Sequence, residues 1–134
     1  MFDPKTIILV VDDMKTMRKL VKKSCTDLGF SNFLEAEDGA QAFETLAAAN
    51  PPVGLVISDW NMPNCTGLDF LKRVRAESRF KHTPFLLLTA ESESSQVATA
   101  IQVGVDNYMI KPFSTNALSE KLTAVYKKRN PAAA

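Results

Sequence analysis

The sequence predicts an α/β fold in which five parallel strands form a doubly wound sheet with helices on both faces. Short apolar runs alternate with longer segments whose apolar residues recur at helical spacing, and this alternation repeats five times with short loops between. Continuous apolar runs indicate strands that are covered on both faces, which is the position of parallel strands between two helical layers. At 134 residues, 46% of them hydrophobic, the chain is long enough to bury such a core.

The first half of the chain contains the patterns of three strands and two helices. A β-branched run at 7–11 predicts the first strand, and short strands are expected at 33–36 and 55–58. Between the first two strands an apolar helix face ends at a glycine, a residue that suits a helix end. Its members are Met14, Met17, Leu20, Val21, Cys25 and Leu28. Asp38 and Gln41 can form a capping box that opens the second helix, with Phe43 and Leu46 inward.

The second half repeats the alternation. Thr66 can cap a third helix, and Ser114 or Thr115 can cap a last one. Strands are expected at 85–88 and 108–110, with a helix between them that ends at Gly104. The apolar positions of these three helices are Leu68, Leu71 and Val74 in the third, Val97, Ala100 and Ile101 in the fourth, and Leu118, Leu122 and Val125 in the last.

The chain has no recognisable linker or repeat, so we expect one domain over residues 1–134, without a separate output domain and with a frayed tail at 130–134. A signal-peptide pattern is absent, and the first apolar run is too short to cross a bilayer, which favours a cytoplasmic location. The net charge of +1 argues against nucleic-acid or membrane partners. Cys25 and Cys65 fall in no metal or redox spacing, which favours reduced thiols over a disulfide.

Polar residues follow four of the predicted strands. They are Asp12 and Asp13 after the first strand, Asp59 after the third, Thr89 after the fourth, and Lys111 with Pro112 after the fifth. In a flavodoxin-like strand order of 2-1-3-4-5, the carboxyl ends of these strands form one edge, and ligands bind where the order reverses. We therefore expect these side chains to converge in one crevice.

Convergence of three carboxylates requires a compensating cation. Two carboxylates about 4 Å apart repel by roughly 4 kcal/mol at an effective dielectric near 20. Lys111 supplies only one charge, so the pattern predicts a Mg²⁺ ion, which accepts carboxylate and carbonyl oxygens and retains waters. Asp59, held beside a metal and an ammonium group, can then attack phosphorus. Lys111 and the Thr89 hydroxyl would stabilise the equatorial phosphoryl oxygens.

Over nearly its whole length the chain resembles bacterial response-regulator receiver domains, and among them the stand-alone regulators of chemotaxis. The matching stretches, in order, are "VVDDMKTMRKLV", "LGF", "EAEDG", "VISDWNMPN", "LTAE" and "NYMIKPFS". The resemblance implies that Asp59 is phosphorylated. It implies Mg²⁺ ligation by Asp13, Asp59 and the Asn61 backbone carbonyl, with Asp12 acting through water, and phosphoryl binding by Thr89, the Ala90 N–H and Lys111.

The resemblance also implies roles for residues around this site. Tyr108 would be an aromatic switch that turns inward as Thr89 moves towards the phosphoryl group. The peptide before Pro112 would be cis. Asn61 and Glu91 would flank the site and tune hydrolysis of the phosphate. Trp60, which we expect to be an exposed aromatic in a turn, should report on the site by its fluorescence.

The partners implied are a sensor histidine kinase or a phosphotransfer domain, from which the protein catalyses its own phosphorylation, and a phosphatase. The face formed by the fourth helix, fifth strand and last helix would bind a flagellar-motor switch protein. The runner-up is a relay receiver that passes its phosphate to, or sequesters, another signalling protein, since it would share all of this chemistry and differ only in its partner. Glu93, Ser94 and Ala124 make this face less basic than is usual in the resembled family, which counts against the motor target. A metabolic phosphohydrolase of the haloacid-dehalogenase type is disfavoured, since Asn61 stands where it needs a second acid.

A basic stripe runs along the predicted first helix. Its members are Lys15, Arg18, Lys19, Lys22 and Lys23. A solvated helix face is the default interpretation of such a stripe. Docking of an acidic partner is the functional alternative, since this helix is the docking face for the kinase in the resembled family.

Overall fold

Strands and helices alternate without exception along the computed structural model, which describes residues 2–90 and 94–130, excluding the side chains of residues 94–96. The elements are β1 (Ile7–Val11), α1 (Lys15–Asp27), β2 (Asn32–Ala36), α2 (Gly39–Ala48), β3 (Leu55–Asp59), α3 (Gly67–Ala76), β4 (Phe85–Thr89), α4 (Ser94–Val103), β5 (Asn107–Ile110) and α5 (Thr115–Arg129). The predicted alternation is confirmed. Apart from Asn130, the tail that was expected to fray lies outside the described residues.

The five strands form one parallel sheet in the order β2-β1-β3-β4-β5. The chain moves outward from β1 to β2, then crosses to the other side of β1 and continues outward through β3, β4 and β5. This is the predicted order, and its reversal lies between β1 and β3. In the register of the sheet, Val11 pairs with Ser58, and Asp59 pairs with Leu88. Asp12, which follows β1, and Asp59, the last residue of β3, therefore emerge side by side.

Two apolar layers form the core, one on each face of the sheet. Because successive strand residues point to opposite faces, Leu9 and Val56 pack in the layer under α2, α3 and α4, and Ile8 and Ile57 pack in the layer under α1 and α5. Every residue of β3 and β4 is buried. Burial on both faces is the reason that these strands read as unbroken apolar runs.

Among the helix starts that the structure describes, three have a residue whose side chain accepts a hydrogen bond from a backbone N–H of the first turn. The pairs are Asp38 Oδ1 with the Gln41 N–H at 2.8 Å, Thr66 Oγ1 with the Asp69 N–H at 3.1 Å, and Ser114 Oγ with the Ala117 N–H at 3.0 Å. The caps predicted at Asp38 and Thr66 are confirmed, and Ser114, not Thr115, caps the last helix. Such caps satisfy N–H groups that have no partner within the helix.

The predicted apolar face of α1 is wrong at two positions. Met14 is 58% exposed and Leu20 is 47% exposed. Val21 and Cys25, four residues apart, face the core, and Leu20 is turned away by about 100° because it precedes Val21 by one helical residue. Met14 lies just before the helix, and its side chain makes no capping hydrogen bond.

The expectation of a solvated basic stripe on α1 is wrong for Arg18. Arg18 is buried, whereas Lys19 and Lys23 are exposed. The reason is helical periodicity, because Arg18 lies three residues before Val21 and therefore on the inward side of the helix.

Two smaller predictions concern the cysteines and membrane segments. Cys25 and Cys65 are both free thiols, and burial raises the pKa of Cys25 to about 12. In the described part of the chain, no helix combines the length and the apolar character that a membrane crossing requires.

A buried ionic cluster holds together the edge of the sheet opposite to Asp59. The Asp106 carboxylate accepts a hydrogen bond from the Phe85 N–H at 2.8 Å and lies 3.2 Å from Arg75 Nη2 and 2.8 Å from Arg129 Nε. Arg75 also donates to the carbonyls of Gly104 and Thr83. Burial lowers the pKa of Arg75 to about 10, so its guanidinium stays charged at neutral pH. The cluster links α3, the start of β4 and the end of α5.

We expect Asp106→Ala to lower the free energy of unfolding by about 3–5 kcal/mol, because it leaves two poorly solvated guanidinium groups without their carboxylate. Urea denaturation followed by circular dichroism measures this loss. The control is Asp27→Ala, which removes an exposed acid 3.6 Å from Lys23 and should cost less than about 1 kcal/mol. Equal losses in the two variants would contradict a stabilising role for the cluster.

Candidate functional site

Three carboxylates from two different strand ends meet at the carboxyl edge of the sheet. Asp12, Asp13 and Asp59 each offer one oxygen, and these oxygens all lie within 4.8 Å of one another. Asp12 is only 2% exposed and Asp59 is also buried, whereas Asp13 faces solvent. The predicted convergence of these side chains is present in the structure.

Lys111 extends over this group from the end of β5. Its Nζ lies 2.8 Å from Asp59 Oδ1 and 3.4 Å from Asp12 Oδ2. Burial alone would lower the pKa of Lys111, but its hydrogen bond to Asp59 and the charges of Asp59 and Asp12 outweigh burial and raise that pKa above its ordinary value. The ammonium group therefore stays charged. The Lys111 N–H donates to the Thr89 carbonyl at 2.8 Å, and the Lys111–Pro112 peptide is cis.

The charges at this edge do not balance. Burial raises the pKa of Asp12, the Met14 N–H opposes this rise by donating to Asp12 Oδ1 at 2.9 Å, and the charge of Asp59 adds to it. One ammonium group thus faces three carboxyl groups, two of them buried. Clustered carboxylate oxygens suit a hard divalent cation such as Mg²⁺ better than a soft metal. The donor set therefore fits the predicted ion.

The backbone after Asp59 is held in place by hydrogen bonds. The Trp60 N–H donates to the Leu88 carbonyl at 2.9 Å and so continues the ladder between β3 and β4. The Gly67 N–H donates to the Trp60 carbonyl at 2.9 Å. A Cβ atom at Gly67 would collide with the Asp59 carbonyl oxygen, so only glycine lets α3 begin this close to the strand end. Asp59 is therefore carried by a rigid segment.

Trp60 was expected to be exposed, and this is wrong, because it is 7% exposed. The continued ladder keeps Trp60 in the strand alternation, so its side chain lies on the same face as Val56 and packs in the layer under α2 and α3. It still follows Asp59 directly. Burial next to the carboxylates makes its fluorescence a suitable probe of this edge.

The remaining predicted site residues occupy the surroundings of the carboxylates. Thr89 is buried at the end of β4, and the exposed Ala90 follows it. Tyr108 is half-buried on β5, with Lys121 Nζ 5.3 Å from the centre of its ring. Asn61 is exposed beyond the end of β3, whereas Glu91 lies outside the described residues. The roles assigned to these residues stay predictions.

The sequence did not indicate that two further residues support the site. Gly67 admits the start of α3, and Arg18 donates from Nη1 to the Asp12 carbonyl at 2.7 Å. For the contact of Arg18, the available signal in the sequence was its position three residues before Val21, which is buried on α1.

Comparison with known proteins assigns this fold and site to a class. The family model described as the response regulator receiver domain matches residues 8–123. The chain belongs to this family, as its resemblance indicated.

Similar proteins include chemotaxis proteins. The chain is 44% identical to the chemotaxis protein CheY of Pseudomonas aeruginosa over 123 residues, which are 92% of this chain and 98% of that protein. It is 47% identical to CheY1 of Helicobacter pylori over 118 residues, 88% of this chain and 94% of that protein. The structure of the chemotaxis response regulator CheY4 of Vibrio cholerae superposes with a TM-score of 0.81 at 34% identity, covering 90% of this chain and 98% of that one.

In buffer free of divalent cations we expect Asp12→Asn to raise the free energy of unfolding near neutral pH. The raised pKa of Asp12 means that its ionised form destabilises the folded state, and asparagine removes that charge. The gain should shrink as the pH falls through the raised folded pKa towards the ordinary value of 3.8, because protonation then neutralises Asp12 in the wild type. Urea denaturation across this pH range measures the difference.

Asp27→Asn, which alters an exposed acid, is the matched control and should show no comparable gain. If Asp12→Asn is less stable than the wild type at neutral pH, the carboxylates do not oppose folding.

Proposed function

We propose that this protein is a phosphorylation-controlled regulator of chemotaxis that accepts a phosphoryl group on Asp59 from the phosphohistidine of a histidine kinase or phosphotransfer domain. The 2.8 Å contact between Lys111 Nζ and Asp59 Oδ1, beside the acidic pair at 12 and 13, is the observation that carries the proposal. The similarity to chemotaxis proteins of Pseudomonas aeruginosa and Helicobacter pylori supports the assignment to chemotaxis.

The transfer is a displacement at phosphorus. A carboxylate oxygen of Asp59 forms the new bond to phosphorus, the P–N bond of the phosphohistidine breaks, and the imidazole nitrogen keeps the electron pair. Mg²⁺, when bound, would neutralise charge on the phosphoryl oxygens. Asp13, Asp59 and the Asn61 carbonyl would hold it directly, and Asp12 would do so through water.

Residues of this chain position and stabilise the transferring group. Lys111 already lies against Asp59, so its ammonium can bind a phosphoryl oxygen with little rearrangement. Thr89, the last residue of the adjacent strand β4, and the N–H of Ala90 after it would bind a further oxygen. Hydrolysis of the product would be tuned by Asn61 and Glu91, as the family resemblance implies, and assisted by a phosphatase.

Phosphorylation would switch the packing of one surface. The new dianion would attract the Thr89 hydroxyl, and the space it vacates would admit the half-buried ring of Tyr108. Charge-assisted hydrogen bonds contribute about 1.5–3 kcal/mol each. Two such bonds, from Thr89 and Lys111, approach the roughly 5.5 kcal/mol that inverts a population of 1:99.

The output surface in this proposal is the face formed by α4, β5 and α5. Ile101 and Ile110 expose large apolar side chains there. A groove of about 450 Å³ lies beside Tyr108 and is lined by Ile110, Phe113 and Lys121, among others. We propose that this face binds a flagellar-motor switch protein. A relay receiver would share the phosphorylation chemistry and differ only in its partner.

Acetyl phosphate with Mg²⁺ should add one phosphoryl group to the wild type, detected by intact-mass spectrometry and by a change in Trp60 fluorescence. Asp59→Asn should abolish both signals, and Asp13→Ala should weaken the response to Mg²⁺ alone by about tenfold or more. Asp27→Asn removes an exposed acid and should behave as the wild type does. The proposal would be refuted by a wild type that gains no mass, or by phosphorylation that persists in Asp59→Asn.

Binding to a flagellar-motor switch protein should increase when beryllium fluoride, a phosphoryl mimic, is added with Mg²⁺. Ile110→Glu places a charge on the output face and should weaken binding by about tenfold or more, which corresponds to about 1.4 kcal/mol. The matched control is Leu20→Glu, which alters an exposed apolar residue of α1. This variant should bind the motor protein with the affinity of the wild type. The relay receiver would be favoured if beryllium fluoride does not change the affinity for the motor protein. It would also be favoured if the protein binds a phosphotransfer protein in place of the motor protein.

A further inference from the structure

Arg18 is a buried cation that reaches the acidic edge through the backbone. It is 8% exposed, although it belongs to the basic residues of α1 that the sequence placed in solvent. Its Nη1 donates to the Asp12 carbonyl at 2.7 Å, and its Nε donates to Glu35 Oε1 at 3.0 Å. One guanidinium group thus connects α1, the segment after β1, and β2.

Glu35 fixes the orientation of that guanidinium group. Its second oxygen accepts a hydrogen bond from Lys22 Nζ at 2.9 Å. The hydrogen bond from Lys22 and that from Arg18 lower the pKa of Glu35 against the opposing effect of burial, so the carboxylate is ionised at neutral pH. With Nε held by Glu35, the plane of the guanidinium directs Nη1 at the Asp12 carbonyl.

The group held in this way is the peptide between Asp12 and Asp13. The Asp12 N–H donates to the Ala36 carbonyl of β2 at 3.1 Å, and the Asp12 carbonyl accepts from Arg18. The Asp12 residue is therefore held at both of its backbone polar groups. Asp13 is exposed, so the position of its carboxylate depends on the backbone that carries it.

We propose that Arg18 is a positioning residue of the metal site. Through the Asp12 carbonyl it sets the peptide plane that carries both acidic residues, and so the orientation of their carboxylates towards Mg²⁺. The inference rests on the proposed function, since it assumes that this group binds Mg²⁺.

Two physical effects of Arg18 on Mg²⁺ binding have opposite signs. A cation near a divalent ion weakens its binding by repulsion, so a purely electrostatic role predicts tighter binding in Arg18→Ala. A positioning role predicts weaker binding, because the two carboxylates lose their fixed geometry. Arg18→Lys keeps the charge but lacks the planar fork that bonds Glu35 and the carbonyl together. Positioning therefore predicts weaker binding in this variant too.

Isothermal titration calorimetry with Mg²⁺ alone distinguishes the electrostatic role from the positioning role. We expect the Mg²⁺ dissociation constant to rise about tenfold or more in both Arg18→Ala and Arg18→Lys, the scale on which residues that orient metal ligands act. Glu35→Gln should give a smaller rise, since it loosens the guanidinium without removing it. Lys19→Ala removes an exposed charge from the same helix and should leave the dissociation constant within about twofold.

A measurement without metal tests the positioning directly. In ¹H–¹⁵N spectra of the metal-free protein, the Asp13 amide belongs to the peptide that Arg18 holds, and it should shift in both Arg18 variants and not in Lys19→Ala. Unchanged or tighter Mg²⁺ binding in a folded Arg18→Lys protein would overturn the inference while leaving the proposed function intact. If Arg18→Ala does not fold, the Mg²⁺ dissociation constants of Arg18→Lys and Glu35→Gln test the inference. A wild type that binds no Mg²⁺ would overturn both proposals.

Discussion

The mutual repulsion of Asp12, Asp13 and Asp59 is the constraint on which the chemistry of this domain depends. Their oxygens lie within 4.8 Å of one another, and two of the three side chains are buried. Lys111, at 2.8 Å from Asp59, compensates only part of this charge. The edge is therefore an electrostatically unfavourable arrangement that an added divalent cation can relieve. Binding of such a cation would for that reason raise the folding stability.

The fold tolerates such an edge because its stability is supplied elsewhere. Unbroken apolar strands separate the carboxylates from the opposite edge, where Asp106 is neutralised by Arg75 and Arg129. The two ionic groups differ in composition, since one has a surplus of acids and the other a surplus of bases. The first can gain from an added cation, and the second holds α3, β4 and α5 together without one.

The strand register also connects the site with the proposed output face. Thr89 pairs with Ile110 across β4 and β5, and the Lys111 N–H donates to the Thr89 carbonyl at 2.8 Å. Because of this pairing, a movement of Thr89 would displace the end of β5. The exposed Ile110 at this end belongs to the proposed output face. Tyr108 lies two residues before Ile110 on the same strand. In the proposed mechanism, the effect of the phosphoryl group would therefore act over a short distance.

The sequence by itself determined the order of elements, the parallel sheet and the convergence of Asp12, Asp13, Asp59 and Lys111, because strand ends in a doubly wound sheet share one edge. Local periodicity was sufficient for the elements, and the flavodoxin-like strand order expected for such an alternation was sufficient for the convergence. The tertiary structure decided which side chains are buried at positions where the sequence pattern fits both a surface and a core location. Trp60 reads as part of a turn, but a hydrogen bond to Leu88 on another strand keeps it in the sheet. Arg18 reads as one of five surface cations, but Glu35 on β2 and the Asp12 carbonyl bind it inside. Leu88 and Glu35 come from segments distant in the chain, so no local pattern encodes these two contacts, although the spacing of Arg18 from Val21 indicates the inward side of α1.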